Sequence, residues 1–199
     1  TTNIYHNTIH IPDLTDMVAS NNIDGIAFAT AAVPEASPAA AANATIKNNI
    51  IVIDESTMKV WGIRRVGATG TFTSDYNNVS INASNTSGYF GFFNATDYAT
   101  LANWQTASSQ DANSVSKAVT FVSASDLHLA GGSIGDTDLK GTPIATYTTD
   151  IDGQTRDLMA PYMGADERIE AYLPIQLASF IATYRTNTVI LNWRTLSEI

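Results

Sequence analysis

The 199-residue chain contains no cysteine. That excludes disulfides, thiolate metal sites and thiol nucleophiles together. Positive charge is scarce: ten Lys and Arg stand against nineteen Asp and Glu, for a net charge of −9, and the densest basic cluster is the pair Arg64-Arg65. A nucleic-acid interface needs concentrated positive charge to release counterions, and an anionic lipid surface attracts the same kind of cluster. Nucleic acid and anionic lipid are therefore excluded as partners. Long apolar runs are missing too, and no stretch of 18 apolar residues is available to insert in a membrane. The Ala- and Pro-rich stretch at 31–41 comes nearest and is broken by Pro34, Glu35 and Pro38. Charged residues of both signs make up only 15% of the chain, against the usual ~25%. Asn, Thr, Ser and Ala fill the gap, and such a polar, weakly charged surface suits an extracellular protein.

What is present is a recurring phrase. It reads Ile4-Tyr5-His6-Asn7-Thr8-Ile9-His10-Ile11, then Ile46-Lys47-Asn48-Asn49-Ile50-Ile51-Val52-Ile53, then Asp75-Tyr76-Asn77-Asn78-Val79-Ser80-Ile81. Each copy sets an Asn before a β-branched run, with Asn7, Asn49 and Asn78 as the aligned positions, 42 and 29 residues apart. Repeats at such spacings indicate stacked architecture. The β runs are short, rich in Ile, Val and Thr, and separated by Asn, Asp, Gly and Ser rather than by tight Asn-Gly or Asp-Gly links between strands. The pattern predicts an all-β protein, a right-handed parallel β-helix with coils of roughly 20–25 residues. The 42-residue gap then holds two coils, with residues 23–30 supplying the second. The three Asn residues are expected at equivalent sharp corners, tolerating left-handed backbone and bonding one another up the stack.

A short helix is expected near 95–107, with Tyr98, Leu101 and Trp104 on one face, Asn94 or Thr96 as N-cap and Asp97 at the positive end of the dipole. Residues 1–130 are expected to form the coils and 131–172, with six Gly, the C-terminal capping loops. Residues 173–199 then give two antiparallel-type strands around Thr186-Asn187-Thr188, with Trp193 inward. The chain opens at Thr1 inside a strand-like phrase and reads as a piece of a longer polypeptide.

Together these phrases resemble bacterial secreted and cell-surface β-helix proteins of the pectate-lyase-like superfamily, non-catalytic type. The likeness extends to Tyr98-Ala-Thr-Leu-Ala-Asn-Trp-Gln105 before the last coil and to Phe121-Val-Ser-Ala-Ser-Asp-Leu-His-Leu129 as a closing strand. It includes the C-terminal signature Asp150-Ile-Asp-Gly-Gln-Thr-Arg156 with Gly164-Ala-Asp-Glu167. The stretch Leu173-Pro-Ile-Gln-Leu-Ala-Ser-Phe180 through Asn192-Trp193 is similar to the first two strands of a fibronectin-III-like module of type IX secretion substrates. The resemblance implies an extracellular or cell-surface location. It departs from the family pattern at Gly132-Ser-Ile-Gly135, at the 31–41 insertion, and in a sandwich module that stops after two strands.

Three constellations could carry chemistry. Asp150 and Asp152, in Asp-Ile-Asp-Gly, are calcium candidates, although the EF-hand pattern is not completed; the competing reading is a turn pinned by Arg156 on Asp166 or Glu167. His6, His10 and His128 are the only histidines. His6 and His10 share strand parity, but zinc would need a third ligand. Asp24, Asp54, Asp75, Lys47 and Lys59 are candidates for lyase chemistry, and Asp13 with Asp16 for a glycosidase pair, without a paired-carboxylate motif. Five Asn-x-Ser/Thr sequons, at Asn43, Asn78, Asn82, Asn85 and Asn94, are what this composition yields by chance.

Two functions follow as expectations. The first is an extracellular structural or adhesive surface protein, a rigid scaffold in a larger assembly or filament. It would associate with itself or with other surface proteins through C-terminal strands carrying Leu177, Phe180, Leu191 and Trp193, with glycans as further partners. It needs no catalytic residue and no cofactor beyond calcium. The second is a carbohydrate-active enzyme whose catalytic coils precede Thr1, since a β-helix alone does not license activity.

Overall fold

A computed structural model describes residues 1–14, 22–29, 43–67, 70–168 and 177–195. The chain divides into two units, Thr1–Arg168 and Ile169–Ile199. The first is mostly β, and its strands repeat in threes. One round runs β1 (Thr2–Tyr5), β2 (Thr8–Ile11), β3 (Asn22–Ala29); the next β4 (Ala44–Lys47), β5 (Ile50–Ile53), β6 (Lys59–Val66); the third β7 (Phe72–Asp75), β8 (Asn78–Ile81), β9 (Gly88–Phe93). First strands pair with first strands in the order β1-β4-β7, second with second as β2-β5-β8, and third with third as β3-β6-β9, all in parallel. Residues 22–29 are thus the third strand of the first round, not a further coil, and the 42-residue interval is one round. The next round takes 28 residues, measured from Asn49 to its partner Asn77.

Ile46, Ile51, Ile53, Val60, Ile63, Val79, Phe90 and Trp104 form the core between the sheets, each essentially inaccessible. Burying a side chain of this size is worth ~1.5–3 kcal/mol. Sheets two and three approach closely because Gly62 has no side chain: a Cβ there would lie 2.2 Å from Val79 Cγ1. All four residues of β5, Ile50-Ile51-Val52-Ile53, are buried. Alternate side chains point to opposite faces, so Ile51 and Ile53 enter this core while Ile50 and Val52 enter a second one. A continuous apolar run is what a strand covered on both faces requires.

The bend between first and second strands is made by a residue in the left-handed region, His6 (φ 52°), Asn48 (φ 56°) and Tyr76 (φ 54°) in successive rounds. The Asn that stacks comes next. Asn7 donates its backbone N–H (3.0 Å) and side-chain amide (2.9 Å) to Asn49 Oδ1, and Asn49 repeats both bonds onto Asn77 Oδ1 at 3.0 and 2.9 Å. The register corrects two expectations. The third member of the ladder is Asn77 rather than Asn78, which opens β8 and bonds Lys117 instead. The left-handed corner also precedes the stacking Asn, because hydrogen bonding and not backbone tolerance selects it. The ladder stops at a buried hub: Asn77 N–H bonds Ser114 Oγ (2.8 Å) and its amide bonds Asp111 Oδ1 (3.1 Å), while Trp104 Nε1 reaches Asp111 Oδ2 at 2.7 Å.

The expected helix starts later than its sequence signals. Thr96–Tyr98 form β10, antiparallel to β9 across a two-residue turn in which Asn94 (φ 50°) and Ala95 (φ 59°) are both left-handed, the arrangement that matches hairpin twist. The helix α1 spans Leu101–Ser108, capped by Thr100, whose side chain accepts the Asn103 N–H. Trp104 is its buried residue; Tyr98 lies on the strand, not on a helical face. Nor is 121–129 one closing strand: β11 (Phe121–Ser123) and β12 (Asp126–Leu129) make a small antiparallel hairpin. Loops and two short 3-10 turns, Gly131–Ser133 and Thr137–Leu139, follow.

In the second unit β13 (Leu177–Arg185) pairs antiparallel with β14 (Thr188–Thr195). Opposed pairs Phe180–Trp193, Ala182–Leu191 and Tyr184–Val189 make one face apolar; Ser179–Arg194, Ile181–Asn192, Thr183–Ile190 and Arg185–Thr188 make the other mixed. Trp193 was expected inward. It is 67% exposed, as Phe180, Tyr184 and Leu191 are also exposed, because two strands alone have no second layer to enclose a face. Segment 31–41, Asp16, Pro174 and the Leu177 side chain lie outside the described residues. Among the described residues no helix is long and apolar enough to cross a membrane.

Candidate functional site

The outer face of the second sheet is the floor of the C-terminal closure. Ile50 and Val52 pack there with Leu129, Leu139, Tyr162 and Met163, all buried. The loops are stitched to the strand ends. Asn48 exchanges bonds with Thr142 (Nδ2 to O, 2.6 Å; N to Oδ1, 3.0 Å), Gly164 N–H donates to Asn48 O (2.7 Å), and Ala165 N–H to Thr8 Oγ1 (2.9 Å).

Arg156 organises this layer. Its guanidinium donates to the carbonyls of Thr149, Tyr162, Gly164 and Ala165 and to Glu167 Oε2, the last at 3.3 Å. Both side chains of the pair are about 5% accessible or less. Glu167 also receives the N–H groups of Tyr162 (2.8 Å) and Asp157 (3.3 Å). Burial pushes the Glu167 carboxyl up and the Arg156 guanidinium down, against the attraction between them. Desolvation dominates such pairs, so their value lies in the bonds they organise. Of the two partners expected for Arg156, the hydrogen bond goes to Glu167. Asp166, 2% exposed, takes the N–H of Leu129 at 2.8 Å.

The two calcium candidates separate. Asp150 turns inward: Oδ1 accepts the N–H groups of Asp152 (2.9 Å) and Gln154 (2.7 Å), and Oδ2 that of Glu167 (2.9 Å). Its oxygens organise the turn instead of facing out of it. Asp152 faces His128, with Oδ2 2.6 Å from Nε2, and Asp126 engages the other ring nitrogen, Nδ1. Hydrogen bonds to Asp126 and then Asp152 raise the His128 pKa to about 9. His128, Asp152 and Asp166 each bring a potential ligand atom within 4.8 Å of the others.

Comparison with known protein families, curated proteins and solved structures finds no match. The geometry alone assigns roles.

The other histidines are separate from this group and from each other. His6 occupies the left-handed corner and His10 a strand, so the parity expected for them is broken. His6 is buried against Asn48 (2.9 Å), and burial, then Arg156, lower its pKa to about 4. His10 meets Asp54 at 2.7 Å.

Two of the lyase candidates, Asp24 and Lys59, lie on the third sheet. Arg64 Nη1 bonds Asp24 Oδ2 (3.0 Å); Lys59 Nζ (2.6 Å) and Trp61 Nε1 (2.7 Å) bond the two oxygens of Asp97. Lys59 and Arg64 lie 4.8 and 4.7 Å from the centre of the buried Trp61 ring. Asp24 Oδ1 and Arg64 Nε are shielded from solvent without a partner. Asp54 bonds His10, Asp75 bonds Asn113 and Asp13 bonds Ser56, so the remaining carboxylates are dispersed. Lys47 pairs through its backbone in the first sheet.

Sequence reading missed several polar residues that matter. Glu55 is inaccessible and accepts the N–H groups of Thr57, Leu14 and Met58, which lower its pKa to about 2. Asp111 holds the ladder end. Neither belongs to a motif; only their position beside a turn hints at the role. For His128 the available signals were Asp126-x-His128 and Asp150-x-Asp152, both local, whereas Asp166 joins only through the fold.

Proposed function

We propose that this chain is part of an extracellular structural or adhesive surface protein, built as a right-handed parallel β-helix that closes around the isoleucine core. The observation that carries the reading is the threefold return of the chain to the same three parallel sheets, with an Asn ladder binding successive rounds. Stacks of this kind present long, regular surfaces and draw stability from neighbouring rounds. The buried charges in the closure support the same role, since Arg156 and Glu167 are spent on internal bonds. Adhesion or self-association would use the apolar face of the second unit, where Phe180, Tyr184, Leu191 and Trp193 are exposed. An antibody against the chain should label intact, unpermeabilised cells of the source organism; labelling only after permeabilisation would overturn the location.

The second reading, a carbohydrate-active enzyme, is favoured by one observation: Asp24, Lys59, Arg64 and Asp97 share the third sheet with two unpartnered buried polar atoms. Against it, both carboxylates are tied to cations and Trp61 is covered. Incubation with polygalacturonate should release no unsaturated uronide absorbance. A signal lost in Asp24→Asn would establish the enzyme reading in place of the scaffold.

A further inference from the structure

We infer that His128, Asp152 and Asp166 form a site for a divalent transition-metal cation, zinc foremost, that ties the closure together. The donors arrive from three separate segments: β12, the 150–153 turn and the loop before Glu167. Their atoms lie within 4.8 Å of one another. A tetrahedral zinc with ligands at ~2.0–2.2 Å holds its donors about 3.3 Å apart, so the group must draw in slightly, the 2.6 Å His128–Asp152 bond must open, and the proton that Nε2 holds toward Asp152 is released to solvent as the metal takes its place. Asp152 sits on an exposed turn that can make that adjustment.

An observation separate from the proximity of the three groups also points to a ligand. Asp166 is 2% exposed, and one of its oxygens is bound by Leu129 N–H. A carboxylate taken so far out of water is stabilised by a cation beside it. Arg156 acts on it only at a distance.

The donor types select the metal. Imidazole with carboxylates suits zinc and its neighbours, whereas calcium takes six to eight oxygens and does not favour nitrogen. Asp126 is a positioning residue. It holds His128 Nδ1 and so leaves Nε2 facing Asp152, the carboxylate–histidine–metal arrangement that fixes ring orientation. Three protein ligands leave a fourth position for water. Asp126, Asp152 and Asp166 bring three carboxylates, and Arg168 and Arg156 are the cations acting on Asp126 and Asp166.

The test is titration of chelator-treated protein with zinc chloride, followed by calorimetry and thermal melting, with calcium chloride in parallel. One equivalent of zinc should bind and raise Tm, and calcium should do neither. Asp152→Asn, a change on an exposed turn, should keep the fold by circular dichroism and weaken zinc binding at least tenfold. Asp126→Asn should weaken it ~10–100-fold at unchanged stoichiometry. Asp166→Asn should abolish it; if that variant fails to fold, Asp152→Asn decides. The inference is overturned by no zinc-dependent heat or melting shift, by Asp152→Asn binding as tightly as the parent, which would place the ion elsewhere, or by calcium outcompeting zinc.

Discussion

The two faces of β5 support two kinds of construction. Toward Ile51 and Ile53 the molecule is periodic: strands pair in parallel, rounds repeat, and one ladder of amides runs through them. Toward Ile50 and Val52 it is irregular. Loops there have few strands, and buried ionic groups, Arg156 foremost, satisfy the backbone carbonyls that no sheet pairs. Where backbone partners come from the next round, side chains only need to be apolar and of the right size. Where the backbone has no such neighbour, charged side chains must replace it, and each becomes individually critical.

The largest test of this contrast is Arg156→Ala. It leaves Glu167 buried without its cation and several carbonyls unpaired, and should cost ~3–5 kcal/mol by denaturant unfolding. Hydrogen exchange should rise across 141–168 while Ile51 and Ile53 keep their protection. Equal loss in both places would mean the faces unfold as one.

A slightly smaller effect is expected from acid. His6 titrates at about 4 when folded, against 6.5 when free. Above pH 6.5 both states hold it neutral. As pH falls from 6.5 to 4 the unfolded chain takes up a proton that the folded one refuses, so stability declines by about 3 kcal/mol and the loss is complete below pH 4. His6→Asn, which copies the Asn48 corner, should flatten that stretch of the stability–pH curve. An unchanged slope would show that His6 is protonated in the folded protein. Glu55 adds a second acid-sensitive group in the same direction. Its depressed pKa means that its stabilisation is present above 4.5 and is lost as pH falls toward 2.

Within the ladder, Asn49→Ala removes amide bonds to Ile4, Lys47 and Asn77 and deprives Asn7 of its acceptor. A cost of ~2–3 kcal/mol is expected. Asn7→Ala, at the exposed end, should cost ~1 kcal/mol. Equal losses would show that the ladder does not act through burial. Smallest of all, Trp193→Ala should shift the melting of the first unit by no more than ~0.5 kcal/mol, because Trp193 is largely exposed. If the C-terminal strands self-associate as proposed, sedimentation velocity should show its effect on assembly instead.

The β class and the stacking of Asn were legible because β-branched runs and a recurring residue leave a local trace. The count of strands per round was not. Residues 23–30 look like a coil of their own, and only pairing with β6 shows them to be the third strand of the first round. Asn78 was chosen over Asn77 because it stands directly before Val79; the register, one residue off, depends on the corner at Tyr76. The helix start was misplaced because Asn94 and Thr96 both look like caps; a left-handed turn at Asn94 puts them in a hairpin, and Thr100, which the sequence reading did not single out, caps the helix. In the closure, Arg156 and Glu167 could be named from the signature. The cluster at His128 could not, because Asp152 lies 24 residues from His128 and Asp166 lies 37 from Leu129.

The ladder also bears on how such a protein changes length. Each Asn rung offers the round before it the same acceptor that it seeks from the round after, so a rung is indifferent to its ordinal position. A tandem copy of residues 50–77, one 28-residue round of strands, would find on both sides the groups that the original finds. Duplication or deletion of a round is therefore nearly silent to the interior. What ends the series is a change of chemistry at one place: Ser114 and Asp111 divide between them the two bonds that a further Asn would accept. Descent by unequal copying would then show as chains differing by whole rounds, each ending on the same hydroxyl and carboxylate.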